Sequence, residues 1–448
     1  MTRRDRLHLL GACALLVLEV WVNSGTLAPM AATLGNPVVT EPCQYLVNID
    51  HYHFKAVFWM LDGAPRDQWD YSVVLRRLLH PLLAYPLMKL FGFAAGGILL
   101  NVLLAAGSVA FFWITLRRRY GEELPNAGLW LLATYPGFFY WAGLPYSYGA
   151  IVPLSLLGLT VLWRLDDSPG SGAREALLCG LLLGLFSTGY DLLPFFGPAG
   201  LLVLLHRRRW AACVPFVAGL VVAPLAVLAF LKLFLRVPLV NANTEVYGII
   251  VRTYLSAWKL SPAEMARWGA LLKAFPGIAL DVYLYSNFLF LPLLFLLCLL
   301  AATRLPRGER APGAGELALL AAAAALFLFN NLAPPYPGWP LRGSWIARLY
   351  QPAGAALIAY VAVFLGRARQ LSPGLRAAVK GAVLLTIALN SWIVFGPVLG
   401  ATRLSQLVYH NFYQHAGATA YSETLARFGA RPLGFCRSSP SSKATVTH

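Results

Sequence analysis

Four of the 19 acidic residues and three of the eight histidines fall within one stretch of about thirty residues. It reads Asn48-Ile49-Asp50-His51-Tyr52-His53-Phe54-Lys55, then Asp62, Asp67 and Asp70, then Arg76-Arg77-Leu78-Leu79-His80-Pro81-Leu82-Leu83. Asp50 and His53 are three residues apart and share one face if the segment is helical. A carboxylate beside an imidazole can take a proton from an attacking group or hold a divalent metal. His51 and His53 are the candidate ligands, and a divalent ion is the one cofactor these residue types suit. Asp62 and Asp67 read more simply as solvated loop residues. Arg76 and Arg77 add cations to the same stretch.

A second cationic group lies in Tyr336-Pro337-Gly338-Trp339-Pro340-Leu341-Arg342-Gly343-Ser344-Trp345-Ile346-Ala347-Arg348. The planar guanidinium donates two bonds at once to a phosphate, and Pro, Gly and Trp around Arg342 and Arg348 imply a fixed loop rather than a helix end. The plainer reading of each Arg is a cation snorkelling to an interface. Asp191, in Ser187-Thr188-Gly189-Tyr190-Asp191, is either a site residue facing the Asp50 region or an acidic turn. Glu19 sits deep in an apolar run, where an ionised carboxylate is expensive. It reads as hydrogen-bonding a neighbouring helix, or as a working group.

The elements that must position these residues are set by composition. The chain has 448 residues, 58 % hydrophobic and only 12 % charged, with a mean hydropathy of +0.62. Soluble chains carry about twice that share of charge, so several water-facing domains are excluded and an all-α polytopic membrane protein is expected. About eleven stretches reach the ~20 apolar residues a crossing needs. They start near Leu7, Ala95, Ala127, Ile151, Glu175, Pro194, Ala211, Phe288, Glu316, Pro352 and Gly381. The net charge of +17 comes largely from short clusters beside these runs: Arg3, Arg4 and Arg6; Arg117 to Arg119; Arg207 to Arg209; Arg304, Arg307 and Arg310; Arg367 and Arg369. Short basic loops stay inside the cell and meet anionic lipid there. No basic stretch has the interleaved aromatics that a nucleic-acid surface needs.

This orientation places residues 1–400 in one membrane domain. Its outer loops are 30–93, 237–287 and 333–351, the longer ones carrying short amphipathic helices, and 401–448 form an outer tail. The inner loops look bland, and Asp166 to Gly172 reads as a plain turn. Chemistry therefore belongs to the outer face. The first apolar stretch has a signal-like basic start and is read as a retained helix.

One helix, an outer loop with an early acid, an amphipathic stretch and a His-Pro-Leu element before the next helix together resemble the GT-C superfamily. That group includes the protein O-mannosyltransferases and the aminoarabinose transferase of lipid A. The resemblance covers roughly residues 7 to 95, and it implies transfer of a sugar from a polyprenyl-phosphate carrier to an acceptor at the outer leaflet. Asp50 matches the family's catalytic base. His80-Pro81-Leu82-Leu83 matches its His/Lys-Pro-Pro-Leu element, with Leu82 at the second Pro and His51 where an acidic partner often follows the Asp. A sizeable outer C-terminal domain, present in many members, has no counterpart here. Such a donor needs cations for its phosphate and polar groups at the interface, and the residues read as substrate-binding are His51, His53, Arg76, Arg77, His80, Asp191, Arg342 and Arg348. The implied partners are the lipid-linked sugar donor, a lipid, glycan or protein acceptor, and membrane lipids. The implied location is a bacterial inner membrane with the active site facing the periplasm.

Two other classes compete. A lipid-linked sugar flippase calls for charged residues strung through several helices, and inverted repeats, of which the sequence shows none. A membrane acyltransferase calls for a His buried among helices, whereas the three His of the first loop are expected outside. No CxxC spacing writes a zinc site. Cys13, Cys179, Cys213 and Cys298 fall in apolar runs as packing residues, while Cys43 and Cys436 share the outer compartment and are candidates for a disulfide.

Overall fold

The computed structural model describes residues 2–33, 78–142, 147–167, 172–190, 193, 196–233, 291–306, 313–332 and 347–395. Among them every regular element is a helix. In chain order these are α1 (Arg3–Thr33), α2 (Leu79–Phe91), α3 (Phe93–Tyr120), α4 (Ala127–Ala133), α5 (Pro136–Ala142), α6 (Ile151–Asp167), α7 (Ala173–Ser187), α8 (Phe196–His206), α9 (Trp210–Leu233), α10 (Leu291–Ala302), α11 (Ala314–Leu332), α12 (Ala347–Arg367) and α13 (Pro373–Phe395).

Each of the eleven apolar stretches overlaps a helix. Three segments among the described residues are long and apolar enough to cross a membrane: Ala95–Tyr120, Trp210–Phe230 and Gln351–Gln370. This fits an all-α membrane protein, since only structures that satisfy their own backbone can span lipid. The stretch from Ala127 is two short helices rather than one. Pro136 lacks an N–H and its ring clashes with the carbonyl four residues back, so α4 stops at Ala133 and Pro136 opens α5, the position a helix tolerates best.

Helices α6 and α12 form the centre, buried almost throughout. Helix α6 packs against α3, α7, α8, α11 and α12. Ala353, Ala355, Ala356, Ala359 and Ala362 of α12 are buried, so its neighbours approach closely. Helix α9 is the opposite case. It packs on α7 and α8 and leaves Val214, Val221, Val222, Leu225 and Leu233 exposed. Its seam with α7 is made by glycines. A Cβ on Gly180 would lie 2.1 Å from the Phe216 carbonyl oxygen, and one on Gly219 would lie 2.5 Å from the Leu177 oxygen. Gly180 and Gly184 are four apart on one face of α7, the small-residue spacing that lets membrane helices touch backbone to backbone.

Three ion pairs gather six helix ends at one end of the bundle. Arg117, closing α3, pairs with Asp5 at the start of α1. It also donates to the carbonyls of Gly121 (2.6 Å) and Leu124 (2.7 Å) and to Asn126 Oδ1 (2.9 Å). Asp166, at the end of α6, accepts from Arg207 Nε (2.6 Å), after α8, and from the Gly315 N–H (2.8 Å), in α11. Glu316 of α11 pairs with Arg367, the last residue of α12. The turn from Asp166 is therefore not plain: its first residue, 3 % exposed, ties three helices together. Sequence reading missed it because both partners lie far along the chain. This basic end holds described members of several Arg clusters, as their placement on one side requires.

Candidate functional site

The other end of the bundle holds a buried polar corner. Helix α2 carries the His-Pro-Leu element and is amphipathic, burying His80, Pro81, Ala84 and Met88 while Leu90 and Phe91 stay exposed. At 13 residues it is too short to cross a bilayer. Gly92, with φ +85°, ends it and turns the chain into α3. The two helices then lie so close that a Cβ on Gly96 would fall 2.4 Å from the Met88 nitrogen.

His80 is 1 % exposed, contrary to the expectation that all three His of the first loop lie outside. The Pro81, Ala84, Met88 stripe buries its helix face, and the imidazole goes in with it. His80 Nε2 donates to Asn101 Oδ1 at 2.7 Å. Burial lowers the imidazole to about 4, and the Asn101 bond offsets only part of that. His80 is thus neutral at physiological pH, a hydrogen-bonding group rather than a cation. The Asn101 amide in turn lies on Gly149, where a Cβ would meet its Cγ at 2.4 Å. Ser147, two residues earlier in the same tight turn (Ser147–Ala150), is fully buried, and its hydroxyl finds no hydrogen-bond partner among the described residues.

A second clamp holds α2. The Leu79 N–H donates to the Thr188 carbonyl (3.2 Å), in the turn that follows α7. Gly189 of this turn fits against Leu154 of α6, where an added Cβ would lie 2.5 Å from a Leu154 methyl. The first residue of α2 and the turn just before Asp191 therefore reach the same corner, next to the starts of α3 and α6. Asn101 and Ser147 escaped sequence reading. The signal for Asn101 was present: a lone amide in the run Leu99-Leu100-Asn101-Val102 is costly in lipid unless it is used.

Glu19 belongs to the same level. Helices α1 and α3 run antiparallel, with Asp5 against Arg117 and Cys13 Sγ 4.0 Å from the Ala106 carbonyl. Extending that register at ~1.5 Å per residue puts Glu19 level with residues 100–103. It shares the buried face of α1 with Ala12, Leu16 and Val20. Its carboxylate is fully buried, and neither oxygen has a hydrogen-bond partner among the described residues. The expected bond to a neighbouring helix is absent there.

Asp50, His51, His53, Arg76, Arg77, Asp191 and Arg342 lie outside the described residues, as do Cys43 and Cys436. Arg348 falls in the first turn of α12, described in its backbone alone. Among the described residues no group of three His, Cys, Asp or Glu could hold a metal. The four described cysteines are free and sit within helices, as expected. Comparison with protein-family models, with curated proteins and with solved structures gives no match for this chain.

Proposed function

We propose that the chain is a GT-C-type glycosyltransferase that moves a sugar from a polyprenyl-phosphate carrier to an acceptor at the outer leaflet. On this reading eleven helices cross a bacterial inner membrane and the polar corner faces the periplasm. The observation that carries the proposal is the double clamp on α2: His80 to Asn101 and Leu79 to Thr188. It fixes the end of the first loop beside the turn that leads to Asp191, which supports reading this corner as the place where the Asp50 stretch works. A lipid-linked sugar phosphate needs a base for the acceptor hydroxyl and cations for the leaving phosphate. Asp50 supplies the base, while Arg76, Arg77, Arg342 and Arg348 supply the cations. His51 and His53 are the ligands for a divalent ion if the reaction uses one. Asp191 is placed by sequence to line the same region.

The deciding experiment offers the purified chain a polyprenyl-phosphate sugar together with an acceptor extract. Sugar transfer is expected, and Asp50→Asn should lower turnover roughly 10²–10⁴-fold, the range for a lost general base, while carrier binding persists. Transfer unaffected by that substitution removes Asp50 from the mechanism. Movement of the lipid-linked sugar across the bilayer with no transfer points to a flippase instead. One observation favours acyl transfer as a second reading, namely a neutral histidine buried between helices at His80. Release of an acyl group from an acyl donor, lost in His80→Gln, would select it.

A further inference from the structure

We infer that Glu19 is a proton-binding site built into α1, holding one proton per chain in the half of the bundle that carries the polar corner. The inference is independent of the glycosyltransferase reading. A carboxylate with no exposure and no donor would leave a bare charge in a low-dielectric interior, which is strongly unfavourable. Something must neutralise it. Among the described residues, the elements packed on α1 supply no cation at this depth. The titratable groups of α3, Arg117, Arg118, Arg119 and Tyr120, all lie in its last turn at the basic end, and α4 has none. Helix α5 carries only Tyr140, with Tyr135 just before it, and neither is a cation. Arg376 and Lys380 of α13 fall in its first two turns, next to the basic end where α12 finishes. On α1 itself Asp5 is paired with Arg117, Arg3, Arg4 and Arg6 are at the helix start, His8 accepts from Trp130, and Cys13 is a free thiol, not a cation. A site with zero exposure has no room for a metal or an ammonium ligand. A proton is the ligand that fits.

Proton occupancy also has a consequence for the corner. Glu19 is level with Asn101, so loss of the proton acts on the stretch of α1 that continues towards the first loop.

The test uses the full chain in lipid nanodiscs. Infrared spectra at neutral pH should show a carboxylic-acid C=O band equal to one carboxyl per chain, missing in Glu19→Gln and shifted in wild type by carbon-13 glutamate labelling. The labelled wild type needs no variant, so a failure of Glu19→Gln to fold leaves the result intact. A carboxylate band in place of the acid band overturns the inference.

Discussion

Arg117 and Asp5, 112 residues apart in sequence, meet in a buried ion pair that fastens the start of α1 to the end of α3. Each side chain is under 8 % exposed, so neither charge has water to fall back on. Arg117→Ala should cost about 3–5 kcal/mol, the loss expected when one member of a buried pair is left alone, read as a lower unfolding temperature in detergent. Asp5→Asn together with Arg117→Met should recover much of that loss. A single variant as stable as wild type would show the pair to be redundant. Burial pushes the Asp5 carboxyl up, but the Thr2 N–H and hydroxyl and the Arg117 charge outweigh it and hold it below the ordinary value. Its contribution is therefore present above about pH 4 and is lost as pH falls through the lowered value.

His80 loses its contribution in the same direction as Asp5, over a higher pH window. The folded imidazole stays neutral down to about 4, while the unfolded one charges below about 6.5. Stability should therefore be complete above about pH 6.5 and decline towards pH 4, by about 3 kcal/mol in all. His80→Gln should remove this acid-side slope. An unchanged slope in that variant would assign the loss to another group.

The seam between α7 and α9 has no room for a side chain. Gly180→Leu or Gly219→Val must push two backbones apart and should cost at least 1–3 kcal/mol, roughly the range for overpacking. Gly107→Ala is the control, since nothing lies within 4 Å of an added Cβ there. Equal behaviour of the three variants in thermal unfolding would mean that the seam adapts freely.

If the glycosyltransferase reading holds, Arg342→Ala or Arg348→Ala should weaken binding of the polyprenyl-phosphate carrier by roughly 1.5–3 kcal/mol, the worth of a hydrogen bond to a charged group. Titration with a short-chain polyprenyl phosphate measures this directly. Unchanged affinity in both variants would move the phosphate site away from the third loop.

Helix positions were legible because apolar run length is a strong local signal. The start expected at Ile151 is the first residue of α6, and the stretches from Ala95 and Ala211 correspond to α3 and α9. The break at Pro136 could have been anticipated from proline alone, but composition pulled the two halves into one run. The corner was half legible. The His-Pro-Leu element was recognised, yet its burial depends on Asn101 and Gly149, which no spacing rule links to it. Asp166 went unread for the same reason: its partners, Arg207 and Gly315, are set by the packing of α6, α8 and α11.

The distribution of hydropathy between α9 and α12 bears on how the chain is made. The most apolar of the span-length segments, in α9 at mean hydropathy 2.5, is the most exposed, and the least apolar, in α12 at 1.2, is the most buried. A translocon sorts segments one at a time by their affinity for lipid. Helix α9 enters the bilayer readily on that criterion, whereas α12, rich in small residues, offers far less. Its place is prepared by α6 and α11, which leave the ribosome first and present the surfaces it fills. Biosynthesis of this chain thus has a late, partner-dependent step, and substitutions in α6 that spare the finished structure can still reduce the amount of protein that reaches it.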